Sequence, residues 1–273
     1  LILSLCGFGF LAAGAGAASE AATDDLARAL QFDRLARILA SEGETYGADL
    51  EAELFPGAGG RRWQAQVARI HDPERIRHIF GTAFAQALAG QPGAVAQATA
   101  FYSSPLGARI ADLELAAREA LADDALREAA ELAWLDARAA RTARADLLDR
   151  LVEAADLVET NVAGALNANL AFYRGMAEGQ GLPGVMDEAD MLADVWSQEE
   201  GIREETVNWI YPYLMLAYEP LSDAELAQYE AFWRRPEGRA LNMALFAAFD
   251  RLFRVVSHDL GSAAATLLQG QDI

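Results

Sequence analysis

The chain has 273 residues, 53% of them hydrophobic, and a formal net charge of −19. That apolar fraction supports a packed core and excludes a disordered acidic chain. The charge argues against nucleic acid as a partner and against docking on an anionic bilayer surface. There is no lysine, which excludes catalysis through a lysine Schiff base or a phosphate-loop lysine.

Taken from its start, the chain opens on an uncharged apolar run, Leu1 to Ala13, followed by Gly14-Ala15-Gly16-Ala17-Ala18-Ser19. This pattern predicts a cleavable export signal over residues 1–17, cut before Ala18. An uncleaved membrane anchor is the rival, but a span needs about 20 strongly apolar residues. The run is shorter and diluted by Gly7 and Gly9, so no stable membrane insertion is expected after cleavage. The single cysteine, Cys6, lies in this segment. The mature chain would then have no disulfide, thiol nucleophile or thiolate metal site.

From Asp24 onward the larger apolar residues recur at helical spacing, and no alternating strand pattern is found. A helix starting near Asp24 places Leu26, Leu30, Leu35 and Leu39 on one face. A loop follows at Phe55–Gly60, then a short helix over Arg62–Ile70. Asp72-Pro73-Glu74 opens the next helix with a cap, an N-terminal proline and an acid in the first turn. Gln91-Pro92-Gly93 breaks it, and another helix runs to Phe101-Tyr102. The longest periodic stretch, Asp136 to Tyr173, predicts one long linking helix, ended by a glycine-rich loop over Gly175–Gly184. Helices are then expected over Asp187–Ser197, Glu200–Tyr218, Asp223–Trp233 and Pro236–Ser257, with Ser222 and Glu225 forming a capping box.

Phe101-Tyr102-Ser103-Ser104-Pro105-Leu106-Gly107 and Phe232-Trp233-Arg234-Arg235-Pro236-Glu237-Gly238 align without gaps at an offset of 131 residues. Upstream, Ile79 matches Ile210 and Ala96-Gln97 matches Ala227-Gln228, suggesting an internal duplication. Each motif reads as a helix corner. The residue before proline leaves helical conformation, and proline starts the next helix, where its missing N–H costs nothing. The glycine admits a close neighbour, and the aromatic pair fills the angle between the helices. Phe101, Tyr102, Pro105, Gly107, Phe232, Trp233, Pro236 and Gly238 are therefore the candidate motif residues, with a structural role; the functional alternative has Tyr102 or Trp233 lining a ligand groove.

Ser222-Asp223-Ala224-Glu225-Leu226 followed by the second corner resembles a bacterial family of exported helical proteins, domain of unknown function 2059. The first corner matches that family's F-Y-x-S-P-x-G form more closely but has Ala94-Val95 in place of the E-L lead-in. The resemblance implies an all-α fold and an exported location, and it brings no catalytic residues to transfer.

Motifs with chemistry fail on context. Gly179-Gln180-Gly181-Leu182-Pro183-Gly184 has the dinucleotide spacing but follows a predicted helix and contains proline, so it reads as a loop. His71 and His78 are separated by a helix start at Pro73, and His258 stands apart, so no metal is called for. No G-x-S-x-G occurs, and Ser103-Ser104 has no histidine partner in sequence. The acidic pairs Asp24-Asp25, Asp123-Asp124, Glu199-Glu200 and Glu204-Glu205 read as solvated surface. The aromatic-rich stretch Trp196, Trp209, Tyr211, Tyr213 and Tyr218 reads as core, or as the lining of an apolar groove.

The expected architecture is all-α, a multi-helix bundle of two related helical units joined by a long helix. The signal occupies 1–17, the first unit 18–135, and the linking helix with the second unit 136–273. The favoured role is a non-catalytic binding, scaffold or envelope-maintenance module in the periplasm, for a protein or a small apolar ligand, with no cofactor. The alternative is a hydrolase whose site is assembled only in the fold.

Overall fold

Local side-chain chemistry sets most of the helix starts. The computed structural model describes residues 21–179 and 187–270, all in helices and their connecting turns, with no strand among them. The expected signal with Cys6, and residues 180–186 of the glycine-rich stretch, lie outside the described residues. In chain order the helices are α1 (residues 21–29), α2 (Phe32–Leu54), α3 (Gly60–Ile70), α4 (Pro73–Ala87), α5 (Pro92–Tyr102), α6 (Pro105–Ala120) and α7 (Asp124–Ala139). They continue with α8 (Ala143–Ala154), α9 (Leu157–Glu178), α10 (Glu188–Ser197), α11 (Glu199–Tyr218), α12 (Asp223–Trp233) and α13 (Pro236–Gln269). Asp72, Ser104, Asp123, Thr142 and Asp187 each accept a first-turn N–H at the head of their helix. Ser222 and Glu225 form the expected reciprocal box. Such caps are each worth about 1 kcal/mol.

Four expectations need correction. The stretch from Asp136 to Tyr173 is not one helix. It is divided among α7, α8 and α9 at Arg141 and Asp156, both with φ of 49°. A left-handed non-glycine residue costs roughly 1–2 kcal/mol, and here the turns re-aim α8 and α9 so that Leu147, Leu151 and Val162 all stay buried. The helix expected from Asp24 likewise breaks at Gln31, with φ of 56°, between α1 and α2. Nor does α9 stop at Gly175. It continues to Glu178, because Gly175 faces α13 rather than a turn. The helix expected over Pro236–Ser257 also runs further, to Gln269, and as α13, with 34 residues, is the longest among the described residues.

The two corners have matching backbones. Ser104 and Arg235 precede the prolines at φ/ψ of −73°/159° and −78°/158°. A Cβ on Gly107 would collide with the carbonyl oxygen of Phe101, and one on Gly238 with that of Phe232. At the 131-residue offset the end of α4 coincides with the end of α11, α5 with α12, and the start of α6 with that of α13. The corners also meet each other. Phe101 stacks on Phe232 at 4.2 Å between ring centroids and 12° between planes.

α13 packs against α9, α4, α5, α3 and α12. Its pairing with α9 is parallel: Asn242 Nδ2 donates to the Ala155 carbonyl at 2.8 Å, and Asn167 Nδ2 donates to Asp250 Oδ1 at 2.8 Å. Further along, Gly175 lies against the His258 carbonyl and Gly261 against that of Phe172. This backbone-to-backbone approach leaves no room for a methyl on either helix.

The corner geometry makes a stability prediction. Gly107→Ala and Gly238→Ala should each lower unfolding free energy by about 1–3 kcal/mol, as forced overpacking does. Gly201→Ala, where an added Cβ meets nothing within 4 Å, should be neutral or stabilising by up to about 1 kcal/mol. Urea denaturation monitored by circular dichroism measures all three, and a wild-type midpoint for Gly238→Ala would contradict the close approach.

Candidate functional site

Along α6 the buried side chains Ile110, Ala111, Leu115 and Ala117 mark one face. Glu114 and Arg118, one turn apart, sit on that same apolar stripe. They face a cavity of about 960 Å³ to which α2, α6, α9, α11 and α13 all contribute. Leu35, Leu39, Ile210, Leu245 and Phe249 supply much of its wall.

Glu114 is the centre of a hydroxyl network. Tyr218 of α11 and Tyr229 of α12 each donate to its Oε1 at 2.7 Å. Because the Tyr229 proton is spent there, Tyr102 of the first corner donates to the Tyr229 oxygen, 3.1 Å away. Tyr213 donates to the Glu114 backbone carbonyl at 3.2 Å. Glu114 Oε2 accepts no hydrogen bond from the described residues. No sealed, unsatisfied side-chain polar atom exists among them, so this oxygen is accessible, on a side chain that lines the cavity.

Removal from bulk water raises the Glu114 carboxyl above its ordinary value of 4.5, against the opposing hydrogen bonds from Tyr218 and Tyr229. Burial pushes the hydroxyls of Tyr102, Tyr213, Tyr218 and Tyr229 up, with the nearby Glu114 charge adding to the effect. The tyrosines are therefore fixed proton donors at neutral pH. Beside them, Arg118 donates from Nε and Nη2 to the two carboxylate oxygens of Glu42, at 2.7 and 2.8 Å. Its guanidinium lies 5.9 Å from the Trp209 ring centroid, and Trp209 stacks on Tyr213.

The residues singled out by sequence fall as follows. Tyr102 and Trp233 both line the cavity, while Phe101 and Phe232 form the stack behind it. Pro105, Gly107, Pro236 and Gly238 form the corners. Of the aromatic-rich stretch, Trp209, Tyr213 and Tyr218 reach the cavity, Tyr211 stacks on Trp134, and Trp196 is 65% exposed. His71 is buried, its Nδ1 3.0 Å from the Val67 carbonyl, and desolvation lowers its pKa. His78 is exposed, and His258 pairs with Glu178 at 3.1 Å. No serine hydroxyl hydrogen-bonds to a histidine among the described residues, and none of their acidic and histidine side chains form a metal-holding group. The acidic pairs stand at the surface, with Glu199 tied to Arg203.

Glu114, Glu42 and Arg118 escape sequence reading. The available signal is a carboxylate on an apolar stripe, four residues after Ile110 and four before Arg118.

Residues 78–133 match a family described as an uncharacterized protein conserved in bacteria, domain of unknown function 2059. The matched segment contains the first corner, Glu114 and Arg118. No curated protein and no solved structure matches the chain.

The raised Glu114 pKa has a signed consequence. The folded state binds this proton more tightly than the unfolded state does. Its contribution is therefore fully present below the ordinary carboxylate range and is lost as pH rises through the raised value. Glu114→Gln removes that loss, so the variant should gain stability relative to wild type between about pH 4 and pH 8. Carboxylates held down by arginines, such as Glu119 and Glu230, give the opposite trend but cancel in the comparison. A Tm difference constant across this range would rule the assignment out.

Proposed function

We propose that the protein is an exported, non-catalytic binding module of the bacterial envelope that holds a small, largely apolar ligand in the cavity beside Glu114. The observation carrying this reading is the cavity itself. Its roughly 960 Å³ falls within the usual range for ligand sites, about 300–1,000 Å³, and it combines an apolar wall with a few convergent polar groups. The open oxygen of Glu114 gives a ligand one directional contact. A periplasmic location rests on the uncharged leader and its small-residue cut site; no helix among the described residues is long and apolar enough to cross a membrane. We also infer that α4–α6 and α11–α13 descend from one duplicated three-helix unit. The coincident helix ends and the matched corners support this.

Decan-1-ol, an apolar chain with one hydroxyl, is a suitable first probe. Calorimetry should give saturable binding at about one site per chain, weakened at least about tenfold in Ala168→Phe, which fills the cavity. No binding by wild type, or equal binding by a folded Ala168→Phe, would refute the cavity as a ligand site. Intact-mass analysis of periplasmic protein should give an N-terminus at Ala18, and recovery of the whole leader in the membrane fraction would refute cleavage.

A further inference from the structure

The charge balance of the cavity specifies the head group of its ligand; this step rests on the binding reading above. Among the described residues, the charged side chains lining the cavity are Glu42, Glu114, Asp250 and Arg118. Arg118 is committed to Glu42 through both carboxylate oxygens. Asp250 accepts from Asn167 and pairs with Arg254 on its own helix. Glu114 alone has no cation in contact, only the hydroxyls of Tyr218 and Tyr229, both on Oε1.

We propose that the cavity binds an amphiphile whose head is a protonated amine, with the ammonium on Oε2 of Glu114 and the apolar body along the leucine and phenylalanine wall. An anionic head would meet three carboxylates and one arginine already taken, so it would enter with no counter-charge. A neutral hydroxyl could donate to Oε2 but would leave the carboxylate charge uncompensated. An ammonium does both, and a charge-assisted hydrogen bond inside a low-dielectric cavity exceeds its neutral counterpart. Burial disfavours the ionised Glu114, and a bound cation reverses that bias. The binding step involves no bond making and needs only that Glu114 be ionised when the ammonium arrives.

The test compares three heads on one chain: decylammonium, decan-1-ol and decanoate, each below its micellar concentration at about pH 7 and physiological salt. The expected order places decylammonium roughly ten- to a hundredfold tighter than decanol, with decanoate weakest. Glu114→Gln keeps an acceptor for Tyr218 and Tyr229, and it should abolish the advantage of decylammonium over decanol, bringing the two within about twofold of each other. Circular dichroism confirms folding, and the comparison on wild type stands without the variant. Equal binding of decylammonium and decanol, or tighter binding of decanoate, overturns the amine assignment and leaves the cavity reading intact. A preference for decylammonium that persists in folded Glu114→Gln reports attraction to the acidic surface, and also overturns it. Failure of all three chains to bind overturns the cavity reading itself.

Discussion

The contact between the two aromatic corners is the constraint on which the site depends. Phe101 on Phe232 joins residues 131 positions apart, and the stack sets the separation of α5 from α12. At that separation the hydroxyls of Tyr102 and Tyr229 meet, and Tyr229 in turn reaches Glu114. A stacked aromatic pair contributes about 0.5–1.5 kcal/mol beyond its area, which is modest. Its larger effect is positional. A carboxyl withdrawn from bulk water is tolerable only if its oxygens are hydrogen-bonded or wet, and the first corner contributes Tyr102, which donates to Tyr229, itself one of the two donors on Oε1.

A second constraint explains why a cavity persists beside that network. α9 and α13 run parallel and are tied near their ends by Asn242 on the Ala155 carbonyl just before α9 and by the reciprocal glycine contacts at Gly175 and Gly261, with the Asn167–Asp250 bond between them. The cavity-lining residues of both helices, including Ala168 of α9 and Leu245 of α13, fall between these points. Close approach at the glycines is incompatible with any bulkier residue, so the pair cannot slide to fill the space. The cavity is thus bounded by contacts that are rigid for separate reasons: backbone against backbone on one side, aromatic stacking on the other.

What could be read from sequence follows from how local each determinant is. Asp72, Ser222 and the two prolines Pro105 and Pro236 act on the next three or four residues, and the helices begin where these side chains say they should. Arg141 and Asp156 act just as locally but do not announce a turn: arginine has no preference for left-handed backbone, and aspartate, which tolerates it, is equally common elsewhere on helix surfaces. Apolar periodicity runs unbroken through both positions because the same face stays buried on either side of the turn. Pro212 is the converse: it lies inside α11 without ending it. Glu114 was illegible for a different reason. Its side-chain partners come from positions 218 and 229, with Tyr102 donating to Tyr229, and only the tertiary packing of α5, α6, α11 and α12 brings them together.

The chain contains its own comparison for the carboxylate. At the 131-residue offset that aligns the corners, Glu114 of α6 corresponds to Leu245 of α13, and Leu245 also lines the cavity. The corresponding site on a helix of matching start therefore accepts a leucine, an apolar group that needs no hydroxyl network and carries no desolvation penalty. Packing alone does not require an acid there. Replacing a buried charged group by a hydrophobic one is often neutral or favourable for stability, so the arrangement around Glu114 is costly as a purely structural device. Tyr218 and Tyr229 both donate to one oxygen, with Tyr102 behind Tyr229, while the other oxygen is left open. That asymmetry is what a binding site needs and what a folding core does not.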